Sequence, residues 1–279
     1  MPIHDQGYHR YRGERGRSGA AWQVIAMAGI RTVLAQRKFL ALLLMAWGPF
    51  LFRAVQIYIA SNFQQASFLQ PKGETFRDFV DQQGIFVFFI TIYVGAGLIA
   101  ADRRANALQL YLSKPLTRWE YVAGKLAILF VFLVLVTFVP AMSLLLVQVG
   151  FAGSLTFLRQ HLYLVPAITL FSLVQVLLAS CTILALSSLS NSSRFVGIMY
   201  AGFIFFTGAL FNAVRGITGR AWLAWLSPTD ALEQLGDVMF RLPPRFDFPV
   251  WVSALVIVAL IGGSLLVLER RVRAVEVVR

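Results

Sequence analysis

Six runs of roughly twenty apolar residues occupy most of this sequence, and no other feature limits its fold as tightly. At ~1.5 Å of rise per residue, a helix of that length crosses the ~30 Å hydrocarbon core of a bilayer. Hydrocarbon offers a backbone N–H or C=O no partner, so chain that spans it satisfies those groups internally, as helices do. The expectation is an all-α integral membrane protein with six transmembrane helices, near 39–59, 85–101, 121–150, 162–189, 195–214 and 250–268. A content of 58% hydrophobic and 14% charged residues over 279 positions agrees and lies far from that of a soluble domain.

The formal net charge of +12 would suit a nucleic-acid binder, but its placement points elsewhere. With the N-terminus in the cytosol, most Lys and Arg fall in the two tails and in the loops after the second and fourth spans. The bases on the outer side are offset by acids such as Glu74, Asp78, Asp81, Glu233 and Asp237. Positive charge gathered on the cytosolic side is how membrane proteins set their orientation. The implied location is the cell inner membrane, multi-pass, with both termini cytosolic, and no nucleic-acid partner is expected. The first twenty residues lack the apolar centre of a signal peptide, and the lone Cys181 lies inside an apolar run, where it can form no internal disulfide.

The domain layout follows. Residues 1–38 are expected to be a basic cytosolic tail and an interfacial helix over 20–38. In that helix Trp22, Ile25, Ala26, Ile30, Val33 and Leu34 share one face, while Gln23, Arg31, Gln36 and Arg37 lie mostly elsewhere. A plain continuation of the first span is the alternative. Residues 39–268 form the six-span transmembrane domain, and 269–279 a cytosolic tail. Arg53, about 21 Å up the first span, is expected to snorkel or to pair structurally, with a substrate contact as the alternative. It is expected to be the one ionisable group within the spans. Residues 60–84 are predicted to be a polar outer loop.

Pro140 should kink the third span. Gly95-Ala96-Gly97, and Gly197, Gly202 and Gly208, suit close helix contact. Between the fifth and sixth spans lies an outer helix segment, 221–242. Ser227-Pro228-Thr229-Asp230 is a helix start, and Leu232, Leu235, Val238 and Met239 stripe one face. Trp222 and Trp225 stand before it as interface anchors do, and Pro243-Pro244 should end it. This helix is expected to lie on, or dip into, the outer leaflet.

The sequence has no H-E-x-x-H or G-x-S-x-G, and Gly124-Lys125 is followed by Leu126, with Trp119 where a Walker A loop opens on glycine. No catalytic residues, metal ligands or enzymatic activity are expected, and any transport would draw its energy from a separate subunit. The polar island 101–125, between the second and third spans, then stands out. Asp102 can cap a short helix, in which Leu108, Tyr111 and Leu112 share a face. Ser113-Lys114-Pro115 breaks it, and Thr117-Arg118-Trp119-Glu120 is a capping box that starts the next helix.

This island resembles the signature region of ABC-transporter permeases of the six-span exporter class, in which each chain pairs with a separate ATPase subunit. The resemblance is carried by Asp102-Arg103, by Ala107-Leu108-Gln109-Leu110-Tyr111-Leu112, by Pro115-Leu116-Thr117-Arg118, by Glu120-Tyr121 and by Gly124-Lys125. Trp225-Leu226-Ser227-Pro228 before the last span adds to it. Ala105-Asn106 stand where that family often has Gly-Thr, and Asp102 where Glu is commoner.

The resemblance implies a coupling loop at 102–120 whose helix, 102–112, seats in a groove of the ATPase. Asp102, Arg103, Arg104, Leu108, Tyr111, Leu112 and Arg118 would make that contact, and the interfacial helix, with Trp22, Ile25, Arg31 and Arg37, a second one. ATP and Mg would belong to the partner ATPase, with no cofactor bound by this chain. It further implies a second copy of the chain or a related permease, a surrounding lipid membrane and room for an outer-side accessory protein. Two other readings stay open: a non-transporting membrane scaffold, and an ATP-independent carrier.

Overall fold

A computed structural model describes residues 21–63, 72–107, 117–152, 156–219 and 221–272. Among these, the regular elements are helices and none is a strand. In chain order they are α1 (Ala21–Leu34), α2 (Arg37–Ala46), α3 (Gly48–Asn62), α4 (Gly73–Ile90), a π turn (Thr91–Gly95), α5 (Ala100–Arg104), α6 (Arg118–Val136), α7 (Phe138–Ala152), α8 (Thr156–Gln160), α9 (Leu164–Leu189), α10 (Ser193–Thr218), a 3-10 turn (Ala224–Leu226), α11 (Pro228–Met239) and α12 (Val250–Arg271).

Six stretches are long and apolar enough to cross a membrane: Arg37–Asn62, Gly73–Arg104, Arg118–Phe151, Leu164–Leu189, Ser193–Thr218 and Val250–Arg271. The fourth, α9, is the most buried, and the first is the least. α9 packs against α4, α6, α7, α10, α11 and α12, which buries its polar side chains. Ser172, Gln175, Ser180, Ser187 and Ser188 are all buried.

Two boundaries differ from the sequence expectation. The second span starts at Gly73 rather than near 85, so 73–84 are helix and not loop. Lys72 N–H donates to Thr75 Oγ1 at 3.0 Å, which opens the helix, and Phe76, Phe79, Val80 and Gln83 turn inward at i, i+3, i+4, i+7 spacing with no exposure. The charges of Glu74, Arg77, Asp78 and Asp81 gave the stretch its loop-like composition. At the N-terminal side, α1 ends at Leu34, and Arg37 opens α2 instead of closing the first helix. α1 is therefore a separate element from the first span. It lies along α6, where Gly29 leaves room for Ile128, and a side chain at Gly124 would meet Ile25 and the Trp22 carbonyl at 2.9–3.0 Å.

Three of the six spans are broken, and side chains attend each break. In the first, Trp47 separates α2 from α3, and Pro49 supplies no N–H to the preceding turn. Gln83 Nε2 donates to Ala46 O there at 3.2 Å. In the second, the π turn and the irregular residues 96–99 interrupt the helix. Ser187 Oγ accepts from Ala100 N–H at 2.9 Å and Ile99 N–H at 3.2 Å, and donates to Ala96 O at 2.9 Å.

The third span breaks at Thr137, three residues before Pro140. The ring of a proline collides with the carbonyl four residues back, here Val136, and Thr137 Oγ1 turns to Leu133 O at 2.8 Å. The expected kink is present, displaced to where the clash falls. Of the small-residue positions, a side chain at Gly95 would collide with Ile183, and one at Gly197 would crowd Ile92, whereas Gly202 and Gly208 face open space within this chain.

Ser187 makes three bonds across two spans, whereas the neighbouring Ser188 bonds only to Ala185 O of its own helix, at 2.7 Å. Ser187→Ala should therefore cost about 1–3 kcal/mol, the penalty for leaving buried backbone groups unpaired. Ser188→Ala should cost less than about 0.5 kcal/mol. Reversible SDS-induced unfolding of the purified chain in mixed micelles measures both.

Candidate functional site

The charged side chains of the bundle gather at its two ends. At the end carrying the 102–120 loop, Asp102 sits inside α5, and its carboxylate turns sideways rather than capping the helix. Asp102 Oδ2 lies 2.7 Å from Lys125 Nζ and accepts from Tyr121 O–H at 2.8 Å. Tyr121 and Lys125 are four residues apart, so one helical face carries both. Their register is set by the expected capping box: Glu120 N–H donates to Thr117 Oγ1 at 3.2 Å, and Thr117 N–H donates to Glu120 Oε2 at 2.9 Å. Lys125 Nζ also lies 5.4 Å from the Tyr121 ring centre.

This corrects the expectation of Arg53 as the one ionisable group in the spans, since Lys125 lies within α6 and is 9% exposed. An ammonium there is tolerable because a carboxylate and a π face meet it. The sequence signal was modest: an acid closing one span, and a lysine in the second turn of the next.

The other expected contact residues divide. Arg104 and Arg118 are exposed, and Arg103 is half-buried. On α1, Ile25 packs toward α6, while Trp22 and Arg31 are exposed, as is Arg37 on α2. Leu108, Tyr111 and Leu112, with most of the expected 102–112 helix, lie outside the described residues. Arg53 donates to Gln56 Oε1 at 3.1 Å, a partner on its own helix. No acid among the described residues pairs with it.

At the opposite end, α11 folds onto the bundle. Its start is as expected, with Ser227 Oγ accepting from Asp230 N–H at 3.4 Å and Pro228 in the first turn. Its buried face differs from the predicted stripe. Ala231, Leu232, Gln234, Gly236 and Asp237 are buried, and Val238 is exposed. A helix carrying Gln234 and Asp237 inward needs polar partners rather than a leaflet. Gln234 Nε2 donates to Phe248 O at 2.9 Å, and Ser253 Oγ donates to Gln234 Oε1 at 3.3 Å. Asp237 meets Arg77, which is fully buried, at 3.0 Å. The helix ends at Met239, before Pro243; beyond it Arg241 has a left-handed φ of 59°, and Leu242 N–H returns to Asp237 O at 2.8 Å. That closing bond is the one a helix C-terminus uses to recover its last carbonyls.

Arg77 Nε donates to Asp237, and its Nη2 donates to Glu233 O at 3.0 Å. Its Nη1 stands 3.1 Å from Asp81, near enough for ion pairing but not aligned for a hydrogen bond. Arg245 reaches Asp237, Glu233 and Asp81 at 2.8, 2.7 and 3.5 Å. Three carboxylates thus share two guanidinium groups. Burial and the neighbouring Asp81 push the Glu233 carboxyl up to about 7, against the opposing pull of Arg245. Sequence reasoning missed this network, although Arg77 and Asp81 stand at helical i, i+4 spacing.

Among the described residues no cluster of His, Cys, Asp and Glu has the arrangement of a metal site. A family model described as "ABC-2 family transporter protein" matches residues 23–268. No curated protein matches the chain.

Two outcomes follow from this geometry. Lys125→Met leaves Asp102 without its counter-charge and should destabilise the chain by about 2–4 kcal/mol, discounted from a fully buried pair because the Asp102 carboxylate keeps some solvent. Asp102→Asn with Lys125→Met should recover part of that loss in a double-mutant cycle. For Glu233, a raised folded value means that the folded state holds a proton the unfolded chain has released. The resulting penalty is absent in acid and grows as pH rises through the carboxylate range toward 7. The melting temperature of Glu233→Gln relative to wild type should therefore rise between pH 5 and pH 8.

Proposed function

The chain belongs to the ABC-2 transporter family, and from that premise we propose that it is the transmembrane permease subunit of an ATP-driven exporter, working as a dimer with a separate ATPase. The carrying observation is the Asp102–Lys125–Tyr121 lock at the base of the 102–120 loop. A loop that transmits force has to be fastened to the helices it moves. Here the carboxylate that ends the second span is held by two side chains of the third, so a push on the loop reaches both spans together. Arg104 and Arg118 face outward beside it, where their charge can meet an acidic groove on the partner.

In this reading, the 102–112 helix seats in the ATPase through Leu108, Tyr111 and Leu112, and ATP and Mg act in that subunit. The loop end and both termini face the cytosol of the inner membrane, and α1, held against α6, offers the second contact through Trp22 and Arg31. The partner permease is a second copy or a related chain, and the substrate passes between the two.

A mild-detergent pulldown of the tagged chain, read by mass spectrometry and ATPase assay, tests the proposal. A P-loop ATPase should accompany the wild type in equal amount. It should be lost with Leu108→Asp/Leu112→Asp and weakened about tenfold or more with Arg104→Glu/Arg118→Glu, the size of effect expected for interfacial charge reversal. Membrane levels should not change. A wild-type chain that brings down no ATPase would overturn the coupling reading in favour of a scaffold.

A further inference from the structure

A cavity of about 250 Å³ lies beneath α11, between the second, fourth and fifth spans. Phe88, Phe171, Leu178, Phe203 and Leu232 contribute to its apolar wall, and Asp81 and Glu233, which share Arg245, line it too. Gln175 also lines it, is 7% exposed, and has no hydrogen-bond partner for its Oε1 among the described residues. Gln175 Nε2 lies beside Gly84, 3.7 Å from where a side chain there would start. Gly84 is three residues from Asp81, about 4.5 Å along the helix.

The charged groups of this cavity are both acceptors, and its hydroxyls at Thr182, Tyr200 and Thr229 can donate or accept. The unpaired Gln175 oxygen and the carboxylates of Asp81 and Glu233 all accept hydrogen bonds. Arg77 and Arg245 are already engaged with Asp81, Glu233 and Asp237, and once Glu233 is ionised two guanidinium groups against three carboxylates leave one negative charge over. A ligand that suits these groups donates several hydrogen bonds, carries one positive charge and buries an apolar body against aromatic rings. An alkylammonium carries three N–H donors, one for each carboxylate and one for the amide oxygen. Its charge also favours the aromatic faces of the wall.

We propose that this cavity is a binding site within a single copy of the chain for an amphipathic organic amine, its ammonium held by Asp81, Glu233 and Gln175 and its apolar part directed among Phe88, Phe171 and Phe203. The site is independent of the coupling reading, because its occupancy is read on this chain alone.

Fluorescence titration of the detergent-purified full-length protein with 2-(1-naphthyl)ethylamine tests it, with 1-naphthaleneethanol and 1-naphthaleneacetate as neutral and anionic counterparts. Saturable amine binding is expected, about tenfold or more tighter than the alcohol, and none for the acetate. Glu233→Gln and Asp81→Asn should each weaken the amine about tenfold, and Gln175→Leu should weaken it several-fold, while the exposed Glu74→Gln leaves it unchanged. Amine affinity should also fall between pH 8 and pH 6 as Glu233 takes up its proton, a trend absent in Glu233→Gln. Gln175→Leu, which replaces an unpaired polar group by an apolar one, keeps the test open should the carboxylate variants fail to fold. Equal binding of amine and alcohol would reduce the site to an apolar cavity, and absence of saturable binding or indifference to all three variants would overturn it.

Discussion

A backbone amide or carbonyl freed inside an apolar medium has no water to turn to, and the helices of this chain are arranged around that constraint. Unbroken helix satisfies it automatically, yet three spans are interrupted. The interruptions are tolerated because Gln83 meets Ala46, Ser187 meets Ala96, Ile99 and Ala100, and Thr137 meets its own preceding turn. Each attending side chain is fully buried. Two of the three reach from a neighbouring span, so the same bonds that repair the backbone also fix the mutual register of the helices. The fourth span holds the centre because it can supply such a group at Ser187 while its small residues let others approach.

The second span gains most from this arrangement. Its 32 residues would rise about 48 Å as straight helix, well beyond the ~30 Å core of a bilayer. Both ends therefore project into polar surroundings, and both are tied down by charge: Arg77 and Asp81 to α11 and Arg245, and Asp102 to Lys125. The interruption at 91–99 lies between these two anchorages, propped by a single serine. A span fixed at both ends and broken in the middle can change the relation of its halves by rearranging few bonds. If the loop is pushed as proposed, this is a physical route by which the movement reaches the cavity under α11, which the same span lines with Asp81, Gly84 and Phe88.

How legible this was from sequence depended on the kind of interaction. Spans are a matter of apolar length, and all six could be seen, as could the capping box at Thr117 and the start of α11 at Ser227, because those signals are local. The segment 73–84 departs from the loop expectation because two of its four charges, Arg77 and Asp81, are paired with partners about 160 positions away, and local composition cannot distinguish a paired charge from a solvated one. For the same reason α11 was given an apolar stripe instead of the polar face formed by Gln234 and Asp237. The Asp102–Lys125 pair lies between these cases, being only a short hairpin apart. Its members were quoted for the motif without their partnership being visible.

That partnership changes how the 102–125 motif should be understood. Asp102, Tyr121, Gly124 and Lys125 all act inward: two pair with the carboxylate, and the glycine admits α1 against α6. Arg104, Arg118 and Trp119 act outward. A substitution at an inward position loosens the joint between the second and third spans, and would abolish coupling even if no atom of it touched another subunit. Loss of activity at Asp102 or Lys125 is therefore no evidence of a docking contact. The proposed partner surface is tested by residues outside this inward set, through variants that leave stability unchanged while association is lost.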